Sequence, residues 1–204
     1  MINAGIVEAF LKCPTKCYLR SLGEVGPENG YANWVRAQNE SYRTEGIKRL
    51  IEGTAPDECI VGLPTATILK AVNWRLAATD NLVRARNLES CLPVVERIAP
   101  EGRGKAAQFV SIRFVFTNKL GLDDKRLLAF DALVLSESLG RTVDRGKITG
   151  DRKVTSVKTS VLANVMKKIT GKIASLLSGE SPPDLILNRH CARMANFEPG
   201  AGRP

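Results

Sequence analysis

Three sets of side chains in this chain carry chemical potential. The first lies in residues 108–116, QFVSIRFVF, where alternation puts Phe109, Ser111, Arg113 and Val115 on one face. Val110, Ile112, Phe114 and Phe116 make the other face wholly apolar. The pattern predicts a sheet strand with one buried side, the mixed face being the place for chemistry. That face offers a hydroxyl and a guanidinium, not the carboxylates a hard cation requires. The second set is the cysteines. Cys13 and Cys17 stand four apart, which on a helix places both thiols on one face, a spacing that serves buried packing more often than a ligand pair. The third is cationic: between Arg141 and Ser178 there are nine basic residues (Arg141, Arg145, Lys147, Arg152, Lys153, Lys158, Lys167, Lys168, Lys172) against Asp144 and Asp151.

That segment holds +7 of the chain's formal charge of +9, and a polyanion is its natural partner, a solvated helix face with basic loops being the alternative. The 204 residues, 44% of them apolar, fit one domain with a real core, expected over 1–197, followed by a disordered tail at 198–204. No apolar run approaches the roughly 18 residues of a membrane span, and Glu8 breaks the start MINAGIVEAFLK as a secretion signal, so a cytoplasmic protein is expected. Five cysteines at irregular intervals argue for reduced thiols or a metal site over a disulfide framework. Gly104-Lys105 does not make a phosphate loop, because the positions that need Gly and Ser or Thr hold Ala99 and Ala106. One histidine and no dinucleotide fingerprint leave little for a small-molecule enzyme.

The elements that must position these groups follow from periodicity. A helix interrupted at Pro14 is predicted over 2–22, and a second over 34–52, closed by Gly53. Short strands are predicted at 58–63, 71–84 (with Asp80 inside it) and 92–98, leading into 108–116 and suggesting a sheet built largely from hairpins. Asp123 or Asp124 is expected to cap a long helix carrying Leu127, Leu128, Ala132, Leu135 and Leu139, and that helix should pack on the sheet. One or two strands at 146–157 precede a last helix, capped by Ser160 and ending at Ser181-Pro182-Pro183. The fold class is α/β.

FLKCPTKCYLRSLGE at the front, LLAFDALVLSESLGRTVDRGKI in the middle and PPDLILNRHCARM at the back, in that order, resemble the RecB-like nucleases of the PD-(D/E)XK superfamily related to the CRISPR-associated iron-sulfur exonucleases. Within that group the chain is most similar to the N-terminal module of a predicted RecB-family nuclease in which an RNase H-like exonuclease domain follows. The resemblance implies a restriction-endonuclease-like core, a mixed central sheet flanked by helices. It also implies a front cysteine and three rear ones around an iron-sulfur cluster, for which thiolates are apt donors. Cys13 and Cys191 match two of these positions. Met194 occupies a third and no cysteine follows, so an iron-sulfur remnant in a truncated member is expected, as is the absence of the RNase H-like part. A zinc site from Cys13, Cys17, His190 and Cys191 is conceivable in composition.

For hydrolysis the resemblance implies Mg or Mn held by an aspartate, an acid one strand later and a backbone carbonyl, with a nearby lysine. Asp80 matches the aspartate. Aligning QFVSIRFV with the next motif puts Arg113 and Val115 at the acid and lysine positions, whereas choosing Glu96 leaves Ile98 for the lysine. Glu40 matches an additional acid of some relatives or is a solvated helix glutamate. Asp80 and Glu96 are the expected metal pair, and Arg113, Arg152, Lys153, Lys158, Lys167 and Lys168 the expected phosphate contacts. The implied function is DNA binding with weak or absent cleavage. The rival is a scaffold for a following RNase H-like domain, and the partners the resemblance implies are DNA, single- or double-stranded, and that domain or a helicase.

Overall fold

The front of the chain folds as two short helices meeting at Cys13. Asn3 accepts the Ile6 N–H at 3.0 Å to start α1 (Ala4–Lys12), and α2 (Pro14–Ser21) begins on Pro14, whose missing N–H costs nothing in a first turn. A computed structural model of the chain describes residues 1–24, 30–61, 67, 74–100, 102, 106–116, 119–150, 153–179 and 181–184, with backbone alone at 32 and 79–81. Helix α3 (Gly30–Glu52) comes next, then strands β1 (Cys59–Val61), β2 (Leu76–Ala85), β3 (Leu88–Ile98) and β4 (Gln108–Phe114). After β4 the chain forms α4 (Leu122–Leu139), β5 (Arg145–Thr149), β6 (Val154–Lys158) and α5 (Ser160–Leu177).

The six strands lie side by side in chain order. Pairs β2/β3, β3/β4 and β5/β6 are antiparallel, while β1/β2 and β4/β5 are parallel. Hairpins therefore account for only part of the sheet, and the parallel β4/β5 pair needs α4 as its crossover. The β2–β3 hairpin turns on Arg86 and Asn87, with Arg86 in the left-handed region at φ 55°. No Asn-Gly or Asp-Gly marks this turn, so β3 starts at Leu88, four residues ahead of the expected strand.

The expectation of one buried face is corrected, because helices cover both. On one side α1, α4 and α5 pack over Ala77, Leu92, Val95 and Phe109. On the other, Ile47 of α3 lies against Leu76, Ala78, Val94, Ile112 and Phe114. Helix α4 is buried all round from Leu127 to Leu135, as befits a helix enclosed between a sheet and two other helices. Two glycines permit the close approaches: a Cβ on Gly46 would stand 2.3 Å from the Phe114 ring, and one on Gly146 2.8 Å from Leu128.

Two caps also differ from expectation. Gly121 is the N-cap of α4, and its N–H donates to Asp124 Oδ2 at 2.7 Å, so the acids sit in the first turn, where the helix dipole favours them. Thr159, not Ser160, precedes α5, and its hydroxyl donates to the Val143 carbonyl at 2.9 Å. Among the described residues no helix is long and apolar enough to cross a membrane. The tail at 198–204 lies outside the described residues.

Candidate nucleic-acid interface

The mixed face of β4 is filled by an internal ion pair. Arg113 donates from Nε to Asp131 Oδ2 at 2.9 Å and from Nη2 to Oδ1 at 3.0 Å, and the Ser90 hydroxyl donates to Oδ1 at 2.6 Å. Asp131 is 1% exposed. Burial alone would push the Arg113 guanidinium down, but the Asp131 carboxylate, aided by Glu8 and Asp124, holds it above its ordinary value. Both ends of the fork are thus used inside the protein. Arg113, expected as a phosphate contact, makes these charge-assisted bonds to Asp131 of α4. Asp131 has no place in the sequence reading, because an aspartate inside a leucine-rich helix carries no local mark of a partner 18 residues back.

The expected metal pair does not come together in register. Ala78 pairs with Val94 and Asn81 with Leu92, so residues 79 and 80 share Pro93 as their opposite number in a bulge. Pro93 is buried, and it offers no donor oxygen from a side chain. Glu96 pairs instead with Leu76, four residues from Asp80 along β2, or about 13 Å at strand rise. Asp80 lies in β2 with its side chain outside the described residues. The Glu96 carboxylate is engaged by the Lys147 ammonium. Glu40 is exposed on α3, 3.7 Å from Arg43. Among the described residues, which leave out the Asp80 side chain, no three His, Cys, Asp or Glu side chains converge as metal ligands.

Cys13 is half-buried at the junction of α1 and α2. Cys17 is fully buried, and burial pushes its thiol up to about 11, away from the thiolate a metal needs. His190 and Cys191 lie outside the described residues.

What the sheet does assemble is a cationic face. In β5, Arg145 and Lys147 point to the side on which α3 lies, and the register sets Lys158 of β6 opposite Arg145 and Ser156 opposite Lys147. Arg145, Ser156 and Lys158 are exposed. Neither Arg145 nor Lys158 forms an ion pair with a carboxylate among the described residues. Like charges directly opposite on adjacent strands repel across about 5 Å, so the pair costs stability where it stands. Lys153 is exposed just before the far end of β6. Helix α5 adds a second cationic face: it contains no acidic residue, and Lys167, Lys168 and Lys172 are exposed beside Asn164, Gly171 and Ser175. Of the expected phosphate contacts, then, Lys153, Lys158, Lys167 and Lys168 face solvent, and Arg152 lies outside the described residues. Arg145 and Lys147 were visible as part of the basic segment, but only strand register gathers them with Lys158.

No protein-family model matches the chain, and no curated protein matches it.

Proposed function

We propose that the chain is a RecB-like domain of the PD-(D/E)XK type that binds DNA through the open face of β5 and β6, with metal-dependent cleavage weak or absent. The observation that carries the binding is the Arg145–Lys158 pair: two exposed cations opposite each other on a strand pair, with no carboxylate partner among the described residues. Repulsion of that kind is relieved when a phosphate lies between them. The lysines of α5 extend the positive surface, and Lys147 stands on the same face as Arg145, paired to Glu96.

The register of the two strands supports weak or absent cleavage. A Mg-type ion requires several oxygens within about 2.1 Å, whereas Asp80 and Glu96 start from positions about 13 Å apart along the strands. The mixed sheet with helices on both faces is compatible with a restriction-endonuclease-like core. The family reading itself rests on the motifs FLKCPTKCYLRSLGE and PPDLILNRHCARM. An iron-sulfur cluster belongs to that reading only as a remnant at Cys13 and Cys191.

Fluorescence titration with labelled single- and double-stranded 20-mers tests the binding. Affinity should fall by about tenfold or more between 50 and 200 mM salt if several phosphates are contacted. A weak response that ignores salt would sink it and favour the second reading, a scaffold for a following domain. That second reading draws on Tyr31 and Trp34 at the front of α3, exposed and stacked with ring centroids 6.1 Å apart, an aromatic surface of the sort common in protein interfaces. For cleavage, the purified protein with Mn should show at most trace activity, abolished in Asp80→Ala. Robust cleavage surviving that substitution would place a nuclease site elsewhere.

A further inference from the structure

Glu96 was the expected metal ligand, and the fold gives it a different partner in the middle of the cationic face. It shares a cross-sheet row with Val110 and Arg145, two strands and about 10 Å from the latter. Its carboxylate reaches diagonally over β4 to Lys147, whose own row is Val94, Ile112 and Lys147. The two chains lie on the side of β4 that carries Val110, which is 3% exposed although it stands away from the Ile112–Phe114 end of β4 that α3 covers. Glu96 and Lys147 themselves stay partly open, at 19% and 34% exposure. Among the described residues, therefore, Arg145 and Lys158 stand as cations with no carboxylate partner and Lys147 as one already occupied.

We propose that Glu96 acts as a built-in competitor for the phosphate backbone, holding Lys147 until a polyanion displaces it and thereby setting the affinity and the salt response of the face. The inference rests on the DNA-binding reading above. A carboxylate and a phosphate oxygen accept the same charge-assisted bonds from an ammonium, so only one of them is satisfied at a time. A ligand with a single phosphate settles between Arg145 and Lys158 and leaves the Glu96–Lys147 pair intact. A backbone with consecutive phosphates also brings an anion to Lys147, repels Glu96 and exchanges with it. Glu96 thus lowers the affinity of every ligand that must take Lys147 and leaves a singly charged anion on Arg145 and Lys158 largely unaffected.

The full chain and a duplex 20-mer, titrated over a series of salt concentrations, test this through Glu96→Gln. Binding should tighten by about three- to thirtyfold at 100 mM salt, and the slope of log affinity on log salt should steepen by a fraction of one phosphate contact (about 0.9), because no displaced carboxylate takes up a cation as the DNA sheds its own. In the Lys147→Gln background the gain should vanish. Glu89→Gln removes an equal charge at the other end of β3, ion-paired to Arg84 and more than a Debye length away, and should change neither quantity. Glu96→Asp, which keeps the charge but shortens the reach across β4, should fall between wild type and Glu96→Gln, and it provides the reading if the glutamine variant does not fold. Equal affinity and slope in wild type and Glu96→Gln would overturn the proposal while leaving the binding face intact, as would a gain that survives Lys147→Gln or appears in Glu89→Gln. A flat salt response in wild type and Glu96→Gln alike would overturn both.

Discussion

Arg113 and Asp131 illustrate how a residue type alone leaves its role open. An arginine on a strand face suits a phosphate and suits a buried carboxylate equally well, and here the carboxylate is the partner, with both guanidinium contacts near 3 Å. Removing one partner of a buried pair strands a charge in a low-dielectric interior. Asp131→Ala should therefore cost about 3–5 kcal/mol, read from urea unfolding, and the double change Arg113→Met, Asp131→Leu should recover most of that loss. A cost under about 1 kcal/mol for the single change would mean that water reaches the Arg113 fork freely. Cys17 gives a second test at this scale. With its thiol near 11, roughly one part in a thousand is thiolate at pH 8, so the native protein should alkylate exposed Cys91 while sparing Cys17 until denaturant is added.

At the level of elements, the close approach of α3 to the sheet depends on Gly46. In a solvated helix Gly→Ala is stabilising by about 0.5–1 kcal/mol. Here a methyl would meet the Phe114 ring at 2.3 Å, inside the cluster that joins α3 to β2, β3 and β4. Overpacking outweighs propensity, and Gly46→Ala should cost about 1–3 kcal/mol, partly relieved when Phe114→Leu opens space. A gain in thermal stability for Gly46→Ala alone would show that α3 is free to slide on the sheet. Helix α4 makes the complementary point. Its predicted stripe of Leu127, Leu128, Ala132, Leu135 and Leu139 is all buried, yet burial continues round the helix, because the crossover between β4 and β5 runs under α1 and α5 as well as over the sheet.

For the molecule as a whole, function and stability pull against each other on the β5–β6 face. Arg145→Glu turns a repelling cross-strand pair into an attracting one and should raise stability by about 0.2–1 kcal/mol. The same change should weaken DNA binding and flatten its salt dependence by a slope of about 1, or more where the new carboxylate repels a phosphate. A variant that is both less stable and unchanged in binding would remove Arg145 from the interface. Reversing Lys167 and Lys168 on α5 compares the second cationic face with the first: the larger loss of affinity identifies the surface that the backbone follows.

Much of the layout was legible in the chain itself. Alternation located the β4 strand, the periodicity of apolar residues located α3, α4 and α5, and the run of cations from Arg141 onward announced a positively charged surface, since each of these depends on neighbours within a few residues. Contacts between residues far apart in sequence left no such trace. That β4 is covered on both faces, that Arg113 is claimed by Asp131, that Pro93 and not Glu96 stands opposite Asp80, and that Glu96 holds Lys147 are consequences of strand register and helix placement. A shift of one residue in a strand reverses which face every side chain occupies, so only the folded sheet decided which charges meet, which are spent on one another, and which are left for a partner.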